Sequence, residues 1–264
     1  MNGAAWPDIL AHTHFGDPAT LVAGLVAVVL VGLSKGGLGG AFALLGVPVL
    51  ALVMPPVQAA ALLLPLLLMM DAVSLWTWRG WFDRATLLHL LPGALVGIAL
   101  GWATAAYTSE AVVRLMVGLV ALGFVARMWL ARGGGPAQGQ SWARGGFWGM
   151  GAGFTSFVAH AGGPPFQVYV LPLRFDPKVY TGTSVIFFAV VNVIKLGPYA
   201  ALGQFDRVTL VSAFAMLPLA VVSTLLGAWI IKRMRAELFY PLMYGMIALV
   251  GVKLVWDAVG ALVG

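Results

Sequence analysis

Seven residues, Ser34-Lys35-Gly36-Gly37-Leu38-Gly39-Gly40, set one lysine and four glycines in the middle of apolar sequence. Consecutive glycines leave backbone N–H groups uncovered by side chains. A helix beginning after them adds partial positive charge, and the lysine adds a whole one. Those are the parts of a cradle for a small anion, with Ser34, Lys35, Gly36, Gly37 and Gly39 as candidate ligands. The bland reading is that the glycines allow close helix packing while Lys35 snorkels to an interface. A lysine at the centre of a bilayer costs about 2.5–3.5 kcal/mol on insertion scales, which argues against placing one there without a use.

A second glycine pair lies in His160-Ala161-Gly162-Gly163-Pro164-Pro165. His160 can donate a hydrogen bond to an anion when neutral and pair with it when protonated; packed in a turn, it can equally be satisfied by backbone. Gly162 and Gly163 extend the candidate site, and Gln167, Thr181, Thr183 and Ser184 offer an amide and hydroxyls nearby. Asp71 is a carboxylate flanked by more than two turns of apolar residues on each side. Such a group is a candidate to carry a coupling proton, to bind sodium, or to neutralise Lys35 when substrate is absent; a purely structural ion pair is the alternative. Its approximate counterpart in the second half is Asn192, followed by Lys195. Asp83 and Asp206 each precede an arginine at the start of a long segment, where they read as helix caps.

Other chemistries are excluded by what is missing. Without cysteine there is no disulfide, thiolate metal site or Cys nucleophile. His12 and His14 sit near the N-terminus and His89 has no His or Glu at ligand spacing, so no metal and no cofactor is expected. No His-Glu-x-x-His, catalytic aspartate pair or Ser-His dyad at motif spacing supports an enzyme. A phosphate-binding Gly-x-x-x-x-Gly-Lys-Ser/Thr loop is absent too, because Ser34-Lys35 reverses that ending and precedes its glycines. The formal charge of +6 comes without a basic run interleaved with aromatics, so nucleic acid is not a partner.

The elements that must hold these residues are membrane helices. A chain with 61% hydrophobic and 9% charged residues cannot cover a water-soluble globule of 264 residues, so its partner is a lipid bilayer. Apolar runs between turn signals predict an all-α polytopic protein of ten segments, at about 19–34, 39–54, 57–78, 85–107 and 110–131, then 145–160, 164–174, 178–202, 207–232 and 236–262. Residues 1–18 lack the basic region of a signal peptide and read as a retained external tail. The chain then divides into a first repeat at 19–131, a cytoplasmic linker at 132–144 and a second repeat at 145–264. Phe82-Asp83-Arg84 recurs as Phe205-Asp206-Arg207, Leu91-Pro92 with Gly101 as Leu217-Pro218 with Gly227, and Glu110 with Leu115-Met116 as Glu237 with Leu242-Met243. Such recurrence marks an internal duplication.

Five segments per unit would run the two copies in opposite directions through the bilayer. With the N-terminus and C-terminus outside, Lys35, Arg79, Arg84, Arg127, Arg132, Arg144, Arg174, Lys178, Lys232, Arg233 and Arg235 fall inside, against Arg114, Lys195, Arg207 and Lys253 outside. That partition obeys the positive-inside rule. The first pair of segments in each repeat is short and interrupted by glycine, which bilayers tolerate only where the backbone is buried in protein or lines a cavity. Two broken or re-entrant hairpins, one from each face, are the expected result.

The Gly-rich stretch from Ser34 to Gly40, Pro48 in the next segment, then Gly162-Gly163-Pro164-Pro165, Pro172 and Thr181-Gly182-Thr183-Ser184 resemble the TauE/SafE family of sulfite exporters from about residue 20 onward. The resemblance implies a permease of the bacterial inner membrane that exports sulfite or moves organosulfonates or related small organic anions. It also places the site at the two Gly-rich turns, with Lys35 and His160 as polar or charged ligands. Secondary transport with a proton or sodium ion as candidate coupling partner is the expected activity, and an anion channel using the same cradle is the alternative. Nothing in the sequence sets an oligomeric state.

Overall fold

The computed structural model describes residues 13–38, 43–104, 107–130, 137–201 and 207–263, and every regular element among them is helical. The principal helices are α1 (Pro18–Leu33), α2 (Gly46–Ala51), α3 (Pro56–Trp78), α4 (Arg84–Thr104), α5 (Glu110–Leu130), α6 (Trp142–Ala159), α7 (Gly163–Val170), α8 (Pro177–Ala201), α9 (Arg207–Arg233) and α10 (Ala236–Val263). They fall in the order of the ten predicted segments. Seven stretches, Pro18–Gly37, Ala61–Trp78, Arg84–Thr104, Glu110–Leu130, Pro177–Gly197, Arg207–Arg233 and Ala236–Leu262, are long and apolar enough to cross a membrane. The protein is an all-α, multi-pass membrane protein.

Two predicted segments need correction. The first is not short: a π-helical turn over Ser34–Leu38 continues α1 past Gly36, and the helical geometry breaks at Gly37, whose φ is 135°. The second is shorter than predicted, with a 3₁₀ turn at Ala43–Leu45 leading into the six residues of α2.

Polar residues fix where helices begin. Asp17 Oδ2 accepts from the Thr20 N–H at 2.9 Å, ahead of Pro18 in the first turn of α1. Asp83 Oδ1 accepts from the Thr86 N–H at 2.7 Å and from Gln140 Nε2 at 2.7 Å, so the predicted cap of α4 also anchors the chain entering α6. Asp206 lies outside the described residues. Pro164 falls in the first turn of α7, where a missing N–H costs nothing.

The helices pack as α4 on α6, α1 on α9, α5 on α10, α3 on α8 and α9, and α4 on α8. Backbones meet at glycine where these crossings are tightest. A Cβ on Gly149 would lie 2.1 Å from the Leu90 carbonyl oxygen, and one on Gly227 would lie 2.4 Å from that of Leu33. Small residues at such seams substitute dispersion contact for the hydrophobic effect, which is weak between helices in lipid. Two apolar clusters result. One is built mainly from α1, α2, α3 and α9, and the other from α4 through α8 with α10. Trp102, Phe147, Phe214, Trp229 and Trp256 point outward, where hydrocarbon solvates them.

Candidate functional site

The first glycine turn is held by α3. Gly37 has φ 135°, a left-handed conformation that excludes side chains, and Gly36 presses on α9, where a Cβ would come 2.2 Å from the Thr224 carbonyl oxygen. Ser74 Oγ donates to the Lys35 carbonyl at 2.9 Å, and Trp78 Nε1 donates to the Gly36 carbonyl at 3.0 Å. These donors satisfy carbonyls freed by the irregular turn. The same helix also takes the lysine side chain: Lys35 Nζ donates to Asp71 Oδ1 at 2.6 Å. Asp71 Oδ2 accepts from Asn192 Nδ2 at 2.7 Å. A chain of charge-assisted bonds thereby joins α1, α3 and α8, and the Phe188 ring lies 5.9 Å from the Lys35 ammonium.

Hydrogen bonds and backbone handedness make the second turn. His160 ends α6 in the left-handed region at φ 51°, the Ala161 N–H donates to the Thr155 carbonyl at 3.0 Å, and Thr155 Oγ1 donates to the Ala161 carbonyl at 3.1 Å. Helix α7 then folds back along α6, with Gly162 against Ala152 and Pro165 beside Gly151. One residue unused by the sequence reading completes the turn: Lys195 Nζ donates to the Ser156 carbonyl at 3.0 Å and to Ser156 Oγ at 3.3 Å. Lys195 was expected among external flanking charges. It is instead 1% exposed, because it lies on the face of α8 that turns toward Ser156 of α6.

Both turns border one cavity of about 340 Å³. Ser34, Lys35 and Gly37 reach it from the first turn, and His160, Gly162 and Gly163 from the second. Helix α8 supplies a polar stripe of Thr181, Ser184, Asn192 and Lys195, at the three- and four-residue steps that bring side chains to one helix face. Thr181 Oγ1 is buried without a hydrogen-bond partner. Met246, Leu249 and Val250 of α10 make an apolar side. Arg114 paired with Glu110, and Lys253 paired with Asp257, belong to the more exposed part of the wall.

Several predicted ligands stand elsewhere. Gly36 is buried against α9, and Asp71 lies behind Lys35 instead of on the wall. Thr183 Oγ1 accepts from the Asp83 N–H at 2.8 Å and donates to the Val179 carbonyl at 2.7 Å, fixing α8 to the α3–α4 connection. Gln167 is buried in α7 as the hydrogen-bond partner of Tyr180. Gly39 lies outside the described residues. His89 Nδ1 is 3.3 Å from the Tyr169 hydroxyl and its ring packs edge-on to Trp142, which accounts for it structurally. Among the described residues no His, Asp or Glu cluster could hold a metal.

A bundle of membrane-crossing helices around a mostly apolar cavity, with a few polar groups gathered at the breaks of two helices, is an architecture suited to a solute transporter. The chain belongs to the sulfite exporter TauE/SafE family, which it matches over residues 24–254. It is thus a membrane transporter for an anion and not an enzyme. No curated protein and no solved structure matches it.

Proposed function

We propose that the protein is a secondary transporter of sulfite, an organosulfonate or a related small organic anion, and that the anion binds between the two glycine turns. The observation that carries this reading is that Lys35 of one turn and His160 of the other border the same cavity. Ser34, Gly37, Gly162, Gly163 and Asn192 share its wall and form the rest of the proposed site. Polar backbone at breaks in membrane helices suits an oxyanion that has left its hydration shell.

The pairing of helices supports an inverted repeat of α1–α5 and α6–α10. If α1 corresponds to α6, and so on in order, then α4 on α6 becomes α1 on α9, and α3 on α9 becomes α4 on α8. The pairs α5 with α10 and α3 with α8 map onto themselves. This symmetry and the distribution of basic residues support a topology with the linker in the cytoplasm and both termini outside a bacterial inner membrane. Ser109 and Ala236 are exposed and precede the matching Glu110 and Glu237. In this cysteine-free chain, Ser109→Cys should label only from outside and Ala236→Cys only from inside; labelling from one common side would refute the inversion.

Function is tested by reconstitution into proteoliposomes. Sulfite or a sulfonate on the far side should accelerate uptake of labelled anion, as an exchanging carrier requires. Flux indifferent to far-side substrate would identify a channel.

A further inference from the structure

Four lysine and arginine side chains border the cavity, and three of them are neutralised in place. Lys35 pairs with Asp71, Arg114 with Glu110 and Lys253 with Asp257. The fourth, Lys195, forms no ion pair with any carboxylate of the described residues. Its two bonds go to the carbonyl and hydroxyl of Ser156, both neutral, which leaves one ammonium proton for a cavity ligand. It is 1% exposed, so water screens its charge little. A buried ammonium without a counter-charge is costly, and an anion arriving beside it removes that cost.

On the transport reading above, we infer that Lys195 is the residue that meets the charge of the bound anion, and that the ligand carries a single negative charge, as in bisulfite, a simple sulfonate or a small carboxylate. The geometry supplies neighbours for it. Ser156 Oγ and Asn192 Nδ2 are also on the wall, and the Asn192 amide has a second proton beyond the one it gives to Asp71. Lys35 is less suited, since recruiting it would pull a buried ammonium away from a carboxylate 2.6 Å distant. Charge balance also sets selectivity. A dianion such as sulfate would leave one negative charge uncompensated, and a zwitterion such as taurine would bring an ammonium to a cavity whose carboxylates are already paired.

The test is titration calorimetry of the purified full-length protein in lipid nanodiscs with methanesulfonate, acetate, sulfate and taurine. Wild type should bind methanesulfonate or acetate at least about tenfold more tightly than sulfate or taurine. Lys195→Met, which keeps length and volume, should weaken monoanion binding about a hundredfold, and at least about tenfold more than Lys35→Met/Asp71→Asn, which removes a neutral pair. Equal affinities of wild type and Lys195→Met, or a greater loss in the Lys35 and Asp71 double variant, would overturn the assignment. Should Lys195→Met fail to fold, the wild-type series still decides, because a preference for sulfate or taurine contradicts a single unmatched positive charge. Failure of wild type to bind any of the four would count against the transport reading itself, and this assignment would go with it.

Discussion

The two glycine turns have similar sequences and are stabilised by different physics. In the first, a cation sits on the turn and its carboxylate on the third helix of the same half, so Lys35 and Asp71 form a buried pair at 2.6 Å. In the second, the turn carries His160 and the third helix carries Lys195, while the backbone is closed by Thr155 and by left-handed geometry at His160. The first turn thus adds a buried ion pair to its hydrogen bonds, whereas the second is held by hydrogen bonds without an ion pair.

The largest test of this contrast is Asp71→Asn. Removing the carboxylate strands the Lys35 ammonium, whose side chain is only 12% exposed, and breaking a buried pair in this way costs about 3–5 kcal/mol. Thermal denaturation in detergent should show a large drop for Asp71→Asn that Lys35→Met/Asp71→Asn largely reverses. Equal stability of wild type and Asp71→Asn would mean that charge does not hold the first turn. An intermediate effect is expected at the second turn, where Thr155→Val deletes a hydroxyl bonded to the Ala161 carbonyl and should cost about 1 kcal/mol by the same melts. If that loss matched the one at Asp71, the two turns would not differ in kind. The smallest effect belongs to the rim. Lys253→Met breaks an i,i+4 pair whose lysine side chain is 39% exposed, so its melting temperature should correspond to a change within about 0.5 kcal/mol. A loss above that would show the rim pair to be shielded from water and would move it into the comparison.

How much of this was legible in the sequence depends on distance along the chain. Both glycine turns and the cap at Asp83 announced themselves, because their chemistry is local: a glycine pair, a proline, a carboxylate three residues before its N–H partner. Asp71 was recognised as costly, but its partner was left among three alternatives, since residues 36 apart in sequence carry no mark of being neighbours. Thr181 and Thr183 were offered together, and the structure separates them. The two are two positions apart on α8, so one turns toward Asp83 and the other toward the cavity. The register that separates them was available. Steps of three, eight and three from Thr181 through Ser184 and Asn192 to Lys195, with Phe188 midway in the longer gap, keep these polar residues on one helix face. Lys195 was counted with the external flank although the predicted segment 178–202 enclosed it, because nothing local to it marks Ser156, 39 residues away, as its partner.

The unmatched ammonium of Lys195 has an electrical consequence. With a monoanion beside it, the occupied site crosses the membrane with no net charge and the potential does no work on it. A vacant site that keeps Lys195 protonated carries one positive charge, on which a full traverse of the field does about 2.3 kcal/mol of work per 100 mV. An inside-negative membrane would then draw vacant carriers toward the cytoplasmic face, where an exporter must collect its cargo. Current recorded from carrier-loaded membranes would accompany the return of empty sites and not the passage of filled ones.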